Sequence, residues 1–296
     1  MTVSRVATRP AGDVREEVAF VDSGDGAIFV ASHLPAGPAA GGLVICPPLL
    51  AESVRNYRRE VALGRALAAR GIAVLRFHYR NTGYSEGDGD EDLTSMVDDA
   101  CVAAQHLAGG AGIHAPAWLG TRASAGIAAA AGSRTGAGPL LLWQPVVDPA
   151  RYWREVFRAR LMQQLKEGAD GLSSERDLIA SIKTTGSLDV AGYRITNALF
   201  EAVSETALEA EIVRSPRPVL IVDINLNDKG GPEHTALARR LNGAGSGAET
   251  RVVEGREAWW FGAAGKLQDK ERVPDSSLIE LSVEWVVTHA SEGGTR

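Results

Sequence analysis

Apolar residues recur along the chain with two different periods, and the change from one to the other outlines the elements. Glu16–Asp22 and Ala27–His33 alternate as strands, and the Ser-Gly-Asp-Gly between them predicts a hairpin turn joining an antiparallel pair. After the linker Pro-Ala-Gly-Pro-Ala-Ala-Gly-Gly the pattern changes to short apolar runs separated by stretches of helical period. Leu43–Cys46 is the first such run, followed by a helix expected over Tyr57–Arg70 and ended by Gly71, which adopts the left-handed conformation cheaply. Strand Ala73–Phe77, helix Leu93–Leu107, strand Ala115–Leu119, an Ala-rich helix over Ala123–Ala131 and strand Leu140–Trp143 follow. Continuous apolar strands alternating with amphipathic helices predict an α/β chain whose mostly parallel, twisted sheet carries helices on both faces.

The alternation stops after Gln144-Pro145. Asp148 to about Ser215 reads as mostly helical and charged, with a Gly/Ser break at Gly168–Ser174. Arg151, Arg154, Arg158 and Arg160 cluster in its first helix, as a solvated face or as a rim that attracts anions. Pro216-Arg217-Pro218 restarts the sheet pattern with strand Val219–Asp223, helix His234–Leu241, strand Thr250–Val253 and a last helix near Ser277–Thr288. The expected organisation is therefore core 1–147, a helical lid insertion 148–215 and core 216–296.

Composition narrows the function classes. The 296 residues are 45% hydrophobic and 23% charged, enough for a substantial core and unlike a disordered chain. Lys plus Arg number 31 against 37 Asp plus Glu, a formal charge of −6, so no net basic field draws nucleic acid or an anionic membrane. Cys46 and Cys101 lie in apolar stretches and do not suggest a disulfide framework. No signal-peptide pattern opens the chain, and no apolar run approaches the roughly 20 residues of a membrane span. A cytoplasmic protein without membrane insertion is expected. No Cys/His cluster has metal-ligand spacing and no phosphate-binding or dinucleotide fingerprint is present, so no cofactor and no metal are implied.

A hairpin, then parallel β/α units, then helices before the last two strands is the element order of the α/β-hydrolase fold. The diagnostic feature of that fold is the nucleophile elbow Gly-x-Ser-x-Gly between a buried strand and a helix. Here the corresponding stretch is Gly120-Thr121-Arg122-Ala123-Ser124, with arginine at the nucleophile position. Arginine does not deprotonate in a protein, so Arg122 is neither nucleophile nor base. Shifting the elbow by two residues would make Ser124 the nucleophile but put Arg122 where a small residue is needed. Asp228 stands where the acid of a triad would follow its strand, but none of His33, His78, His106, His114, His234 and His289 lies in the loop after Val253. His234 and His289 read as structural, His234 at the start of a surface helix. A Ser-His-Asp relay needs an imidazole there to take and return the proton.

LVICPPLLAES…RREVALGRALAARGIAVLRFHYRNTGYSEG, WLGTRASAGIAAAA, LLLWQPVVD, LDVAGYRIT and TRVVEGREAWW, spread over about residues 42 to 260, resemble the exosortase A system-associated hydrolases, particularly their second type. The resemblance implies a Gly-x-Arg elbow, a Trp-containing segment after the last strand and a degenerate triad.

Ligands of this fold gather at the C-terminal edge of the sheet. Arg122 is expected there, at a helix N-terminus that already favours an anion, either gripping a carboxylate or phosphate or paired internally with Glu52 or Glu257. Glu52 and Glu257 are candidate general bases and His78 a candidate for proton transfer, each also readable as an ordinary structural partner. Trp259, Trp260 and Asp148 are expected to line the pocket, whereas Cys46 and Ser85 read as structural. Three functions remain open. The first is a noncanonical enzyme acting on an acyl, ester, amide or peptide-like carbonyl substrate with an anionic group, by hydrolysis or by isomerisation, epimerisation or cyclisation in a biosynthetic pathway. The second is a catalytically silent binding or scaffolding pseudohydrolase, and the third a serine esterase using Ser124. A small-molecule or peptide-like partner and a possible homodimer complete the expectations.

Overall fold

A computed structural model of the chain describes residues 3–11, 14–87, 92–167, 174–225, 230–255 and 276–290. The first strands, β1 (Val3–Ala11), β2 (Val14–Asp22) and β3 (Ala27–Pro35), form an antiparallel meander. Then come β4 (Gly41–Cys46), α1 (Ala51–Ala68), β5 (Ile72–Phe77), α2 (Leu93–Ala111), β6 (Ala117–Thr121), α3 (Ser124–Arg134) and β7 (Leu140–Trp143). The segment up to the next sheet strand contains α4 (Pro149–Glu167), α5 (Glu175–Thr185), the hairpin β8 (Ser187–Val190) and β9 (Tyr193–Thr196), α6 (Asn197–Glu205) and α7 (Leu208–Val213). The chain returns to the sheet as β10 (Val219–Asn225), α8 (Pro232–Gly243), β11 (Ala248–Glu254) and α9 (Ser276–Ala290).

The main sheet has nine strands in the order β1-β2-β3-β5-β4-β6-β7-β10-β11, parallel from β5 to β11. Its central strands are buried on both faces and therefore apolar almost throughout, as in β4, where all six residues are buried. One face packs on α1 and α9 through Leu63, Leu67, Leu278, Val283 and Val286. The other is covered by α2, α3 and α8, and its core runs without a break into Tyr152, Trp153 and Phe157 of α4 and into α5, α6 and α7. Among the described residues the insertion shares the main core.

Capping chemistry fixes the ends. Asp92 accepts the Ser95 N–H at the start of α2, Gly112 ends that helix at φ 71°, and Ser174 and Asp177 form a reciprocal box at the start of α5. Gly71 turns at φ 85° just beyond α1, as its position in the sequence suggests.

Three elements differ from expectation. Helix α1 begins at Ala51, six residues before Tyr57, because its first turns bury the polar residues Glu52 and Asn56. Strand β1 lengthens the antiparallel meander by one. The segment expected to be mostly helical also contains the β8–β9 hairpin, whose turn residues Ala191 and Gly192 both have positive φ, 54° and 84°. Among the described residues no helix is long and apolar enough to cross a membrane, and no cluster of His, Cys, Asp and Glu could hold a metal ion.

Candidate functional site

Strand β6 delivers the elbow to the C-terminal edge of the sheet. Arg122 turns there at φ 56°, outside the conformations that a side chain prefers. Its N–H donates to the Trp143 carbonyl (3.0 Å), and its own carbonyl accepts from Ala125 and Val146. The turn is possible because strand and helix nearly touch: a Cβ on Gly120 would lie 2.6 Å from Ala125 Cα and 2.9 Å from the Ser124 carbonyl oxygen. Leu50, at the start of α1, and Gln144, just after β7, also have positive φ, 55° and 46°. Strained backbone therefore follows β4, β6 and β7 on the edge where the loops meet, a distribution typical of functional sites.

The Arg122 side chain is buried between two carboxylates. Its Nε donates to Glu52 Oε1 at 3.3 Å and its Nη2 to Glu155 Oε2 at 2.5 Å, and its guanidinium lies 5.8 Å from the Tyr152 ring. Glu155 Oε1 accepts from Arg151 Nε at 3.3 Å, and Arg151 Nη1 donates to Glu233 at 3.1 Å. A line of alternating charge, Glu52–Arg122–Glu155–Arg151–Glu233, thus runs from the interior to the surface. Burial pushes the Glu52 carboxyl up to about 7 even though the Arg122 charge and hydrogen bond pull it down. Its Oε2 is buried and has no hydrogen-bond partner among the described residues.

Arg122, Tyr152, Glu155, Glu233 and His234 line a cleft of about 260 Å³, together with the turn Gln144–Asp148 and Arg151. His234 is buried, where the sequence suggested a surface helix. Its Nδ1 hydrogen-bonds Asp223, its Nε2 donates to the Pro145 carbonyl at 2.8 Å, and Asp223 Oδ2 accepts the Gly231 N–H at 2.8 Å. Burial alone would lower the histidine pKa, but Asp223 and the Pro145 carbonyl outweigh it and hold the imidazole above its usual value. With an acceptor on each nitrogen, His234 braces the cleft wall and has no lone pair directed at a ligand.

The structure brings Glu52 and Arg122 together, as one sequence alternative held. Glu257, Trp259, Trp260 and Asp228 lie outside the described residues. Asp148 does line the cleft, but its Oδ1 caps α4 by accepting the N–H groups of Ala150 (3.0 Å) and Arg151 (3.1 Å). His78 does not line it. Its Nδ1 accepts the Tyr84 N–H at 3.0 Å, its ring stacks on Tyr84, and burial with the nearby Arg76 charge lowers its pKa to about 4. Ser124 is fully buried with its Oγ donating to the Pro47 carbonyl at 2.6 Å, which leaves no open hydroxyl for attack. Cys46 lies in the core, and Ser85 bridges β3 to the loop after β5 through the Phe29 N–H and the His78 carbonyl.

Sequence reasoning did not single out Glu155, Tyr152, Gln144 or the Asp223–His234 pair. The one local signal was the four-residue spacing of Arg151 and Glu155, which predicts a helical ion pair but not a shared arginine on another element.

No protein-family model matches the chain, and no curated protein does. Solved structures do match in fold. Est1E from Butyrivibrio proteoclasticus superposes with a TM-score of 0.61 at 13% identity, over 93% of this chain and 98% of its own. Carboxyl esterase 2 from the mycorrhizal fungus Tuber melanosporum gives 0.60 at 13%, over 94% and 88%. Dienelactone hydrolase from Anabaena variabilis gives 0.55 at 12%, over 94% and 100%. Their common architecture and the strand order above agree: the chain has the α/β-hydrolase fold, with Arg122 in the strand-to-helix turn after β6.

Proposed function

We propose that the chain is an α/β-hydrolase-fold enzyme that works without a Ser-His-Asp triad, on a small-molecule or peptide-like acyl, ester, amide or related carbonyl substrate bearing an anionic group. One observation carries this reading: a buried carboxyl with its pKa near neutrality, Glu52, touches an arginine that is held in a strained elbow and lines the cleft. A carboxyl held near neutrality behind the Arg122 wall of the cleft is suited to proton exchange, because both protonation states exist at the working pH. Arg122 supplies what a serine would not, a permanent charge and a planar fork that orients an anionic group or polarises a carbonyl. The two are coupled, since a ligand that draws on the guanidinium weakens its hold on Glu52 and raises the proton affinity of that carboxyl further.

The esterases and hydrolases of like fold support carbonyl chemistry only as an analogy of architecture. The resemblance to exosortase A system-associated hydrolases supports a biosynthetic role and the degenerate triad. The segment 148–215 acts as a lid, a reading supported by α4, whose Arg151, Tyr152 and Glu155 line the cleft.

A second reading, a catalytically silent binding protein, is favoured by the way Glu52 and Glu155 together occupy the Arg122 fork. Turnover decides between them. Wild type, E52Q and R122K are incubated with ester, thioester and amide panels and the products identified by mass spectrometry, which also separates hydrolysis from rearrangement. Wild-type turnover should fall about 100-fold or more in E52Q, and fluorophosphonate should not label Ser124. Full activity in both variants sinks the assignment. Binding without turnover in wild type favours the second reading.

A further inference from the structure

Of the described carboxylates on Arg122, Glu155 lines the cleft and Glu52 does not. Glu52 approaches the Nε edge from the interior with its side chain 8% exposed, whereas Glu155 lines the cleft and keeps 26%. Each Glu155 oxygen meets a different arginine, Oε2 that of the elbow at 2.5 Å and Oε1 Arg151 at 3.3 Å. Two guanidinium groups on separate elements therefore close on one planar, two-oxygen anion, an arrangement that bidentate-capable arginines favour. Glu155 is carried by α4, the first helix of the insertion, and not by the sheet. Pro145, Val146, Val147 and Tyr152 add apolar groups to the lining of the same cleft.

We propose that the ligand of this cleft is a small carboxylic acid with an apolar body, that its carboxylate takes the place between Arg122 and Arg151 now held by Glu155, and that Glu155 is the internal competitor it displaces. This rests on the reading of Arg122 as the anion-binding residue and names the anion. A single carboxylate fits better than a phosphate dianion, because Glu52, Glu233 and Asp148 stand around the same place and repel additional negative charge. Removing Glu155 without removing the arginines takes away the carboxylate that the ligand must displace from Arg122 Nη2 and Arg151 Nε.

The test is calorimetric titration of the full chain with benzoate, phenylacetate and octanoate, with their amides and with phenyl phosphate. E155Q is the isosteric variant, and E155A is a second in case the first misfolds, with melting curves as the check. At least one acid should bind the Glu155 variants about tenfold or more tightly than it binds wild type. The amides should show no such gain, and R151Q added to E155Q should abolish it. Equal affinity of the acids for wild type and E155Q, with binding lost in R122K, overturns the competitor role and leaves the Arg122 reading intact. Acid binding undiminished in R122K overturns the Arg122 reading itself. A gain for phenyl phosphate larger than for any acid overturns the carboxylate assignment, and no acid binding to any variant overturns the proposal.

Discussion

At Glu52 the cost of burial and the pull of Arg122 oppose each other, and burial wins. Its pKa stands at about 7 in the fold against an ordinary 4.5, so between those values the folded chain binds the proton more tightly than the unfolded chain. Stability contributed at this position must therefore fall as pH rises from about 4.5 to 7. The effect is on the order of 3 kcal/mol at most. Urea midpoints of wild type and E52Q across that window check it: the variant should show a flatter profile, and an unchanged slope would assign the fall to other groups. The Arg122–Glu52 contact was legible in the sequence as one of two alternatives, because a guanidinium at a buried elbow must find an anion and Glu52 lies just after the neighbouring strand β4. Glu155 was not, because its approach depends on how α4 lies over the sheet. Nor was the Asp223–His234 pair, since a helix opening Pro-Glu-His reads as a surface helix and nothing local marks its histidine as buried.

Helix α1 shows why element boundaries are harder to read than element types. Glu52, Asn56 and Glu60 recur every four residues and are all buried, a polar stripe on the face that the hydrophobic pattern would assign to solvent. The apolar period becomes visible only near Tyr57, which is where the sequence pattern starts the helix. The stripe continues into the sheet: Asn56 donates to Glu60 at 3.1 Å, Glu60 lies 3.5 Å from Arg76 of β5, and Arg76 stacks on Tyr57. Both members of the Glu60–Arg76 pair are nearly inaccessible, so removing one strands the other. E60L should cost about 3–5 kcal/mol in equilibrium unfolding, whereas E60L/R76L should cost markedly less. Equal losses in the single and double variants would show that the pair is not energetically coupled. The β8–β9 hairpin escaped for a different reason. Its turn, Ala191-Gly192, carries one glycine where the favoured dipeptides signal with Asn or Asp as well.

Across the whole molecule, the mostly parallel, two-faced sheet follows from the alternation of buried runs and amphipathic helices, and it was legible throughout the central strands. The cleft was legible only as a location, the C-terminal edge, because its walls come from the turn after β7, the start of α8 and the insertion, which meet only in the folded chain. His234 ties two of these together, joining β10 through Asp223 to the turn after β7 through Pro145. Its pKa lies above 6.5 in the fold, so the stability it provides is fully present below that value and is lost as pH rises through the folded one. His33 and His78 run the other way. Burial holds both near 4, so their contribution is present above 6.5 and disappears as pH falls towards 4. The histidines therefore bound stability from both sides, His33 and His78 against acid and His234 against base. Thermal or urea unfolding of wild type and H234Q from pH 5 to 9 separates these limbs. H234Q should be less stable at pH 6, where the imidazolium–carboxylate pair is lost, and should lack the alkaline decline of wild type while keeping the acid one. An alkaline decline as steep in H234Q as in wild type would show that His234 does not hold the cleft wall through its charge.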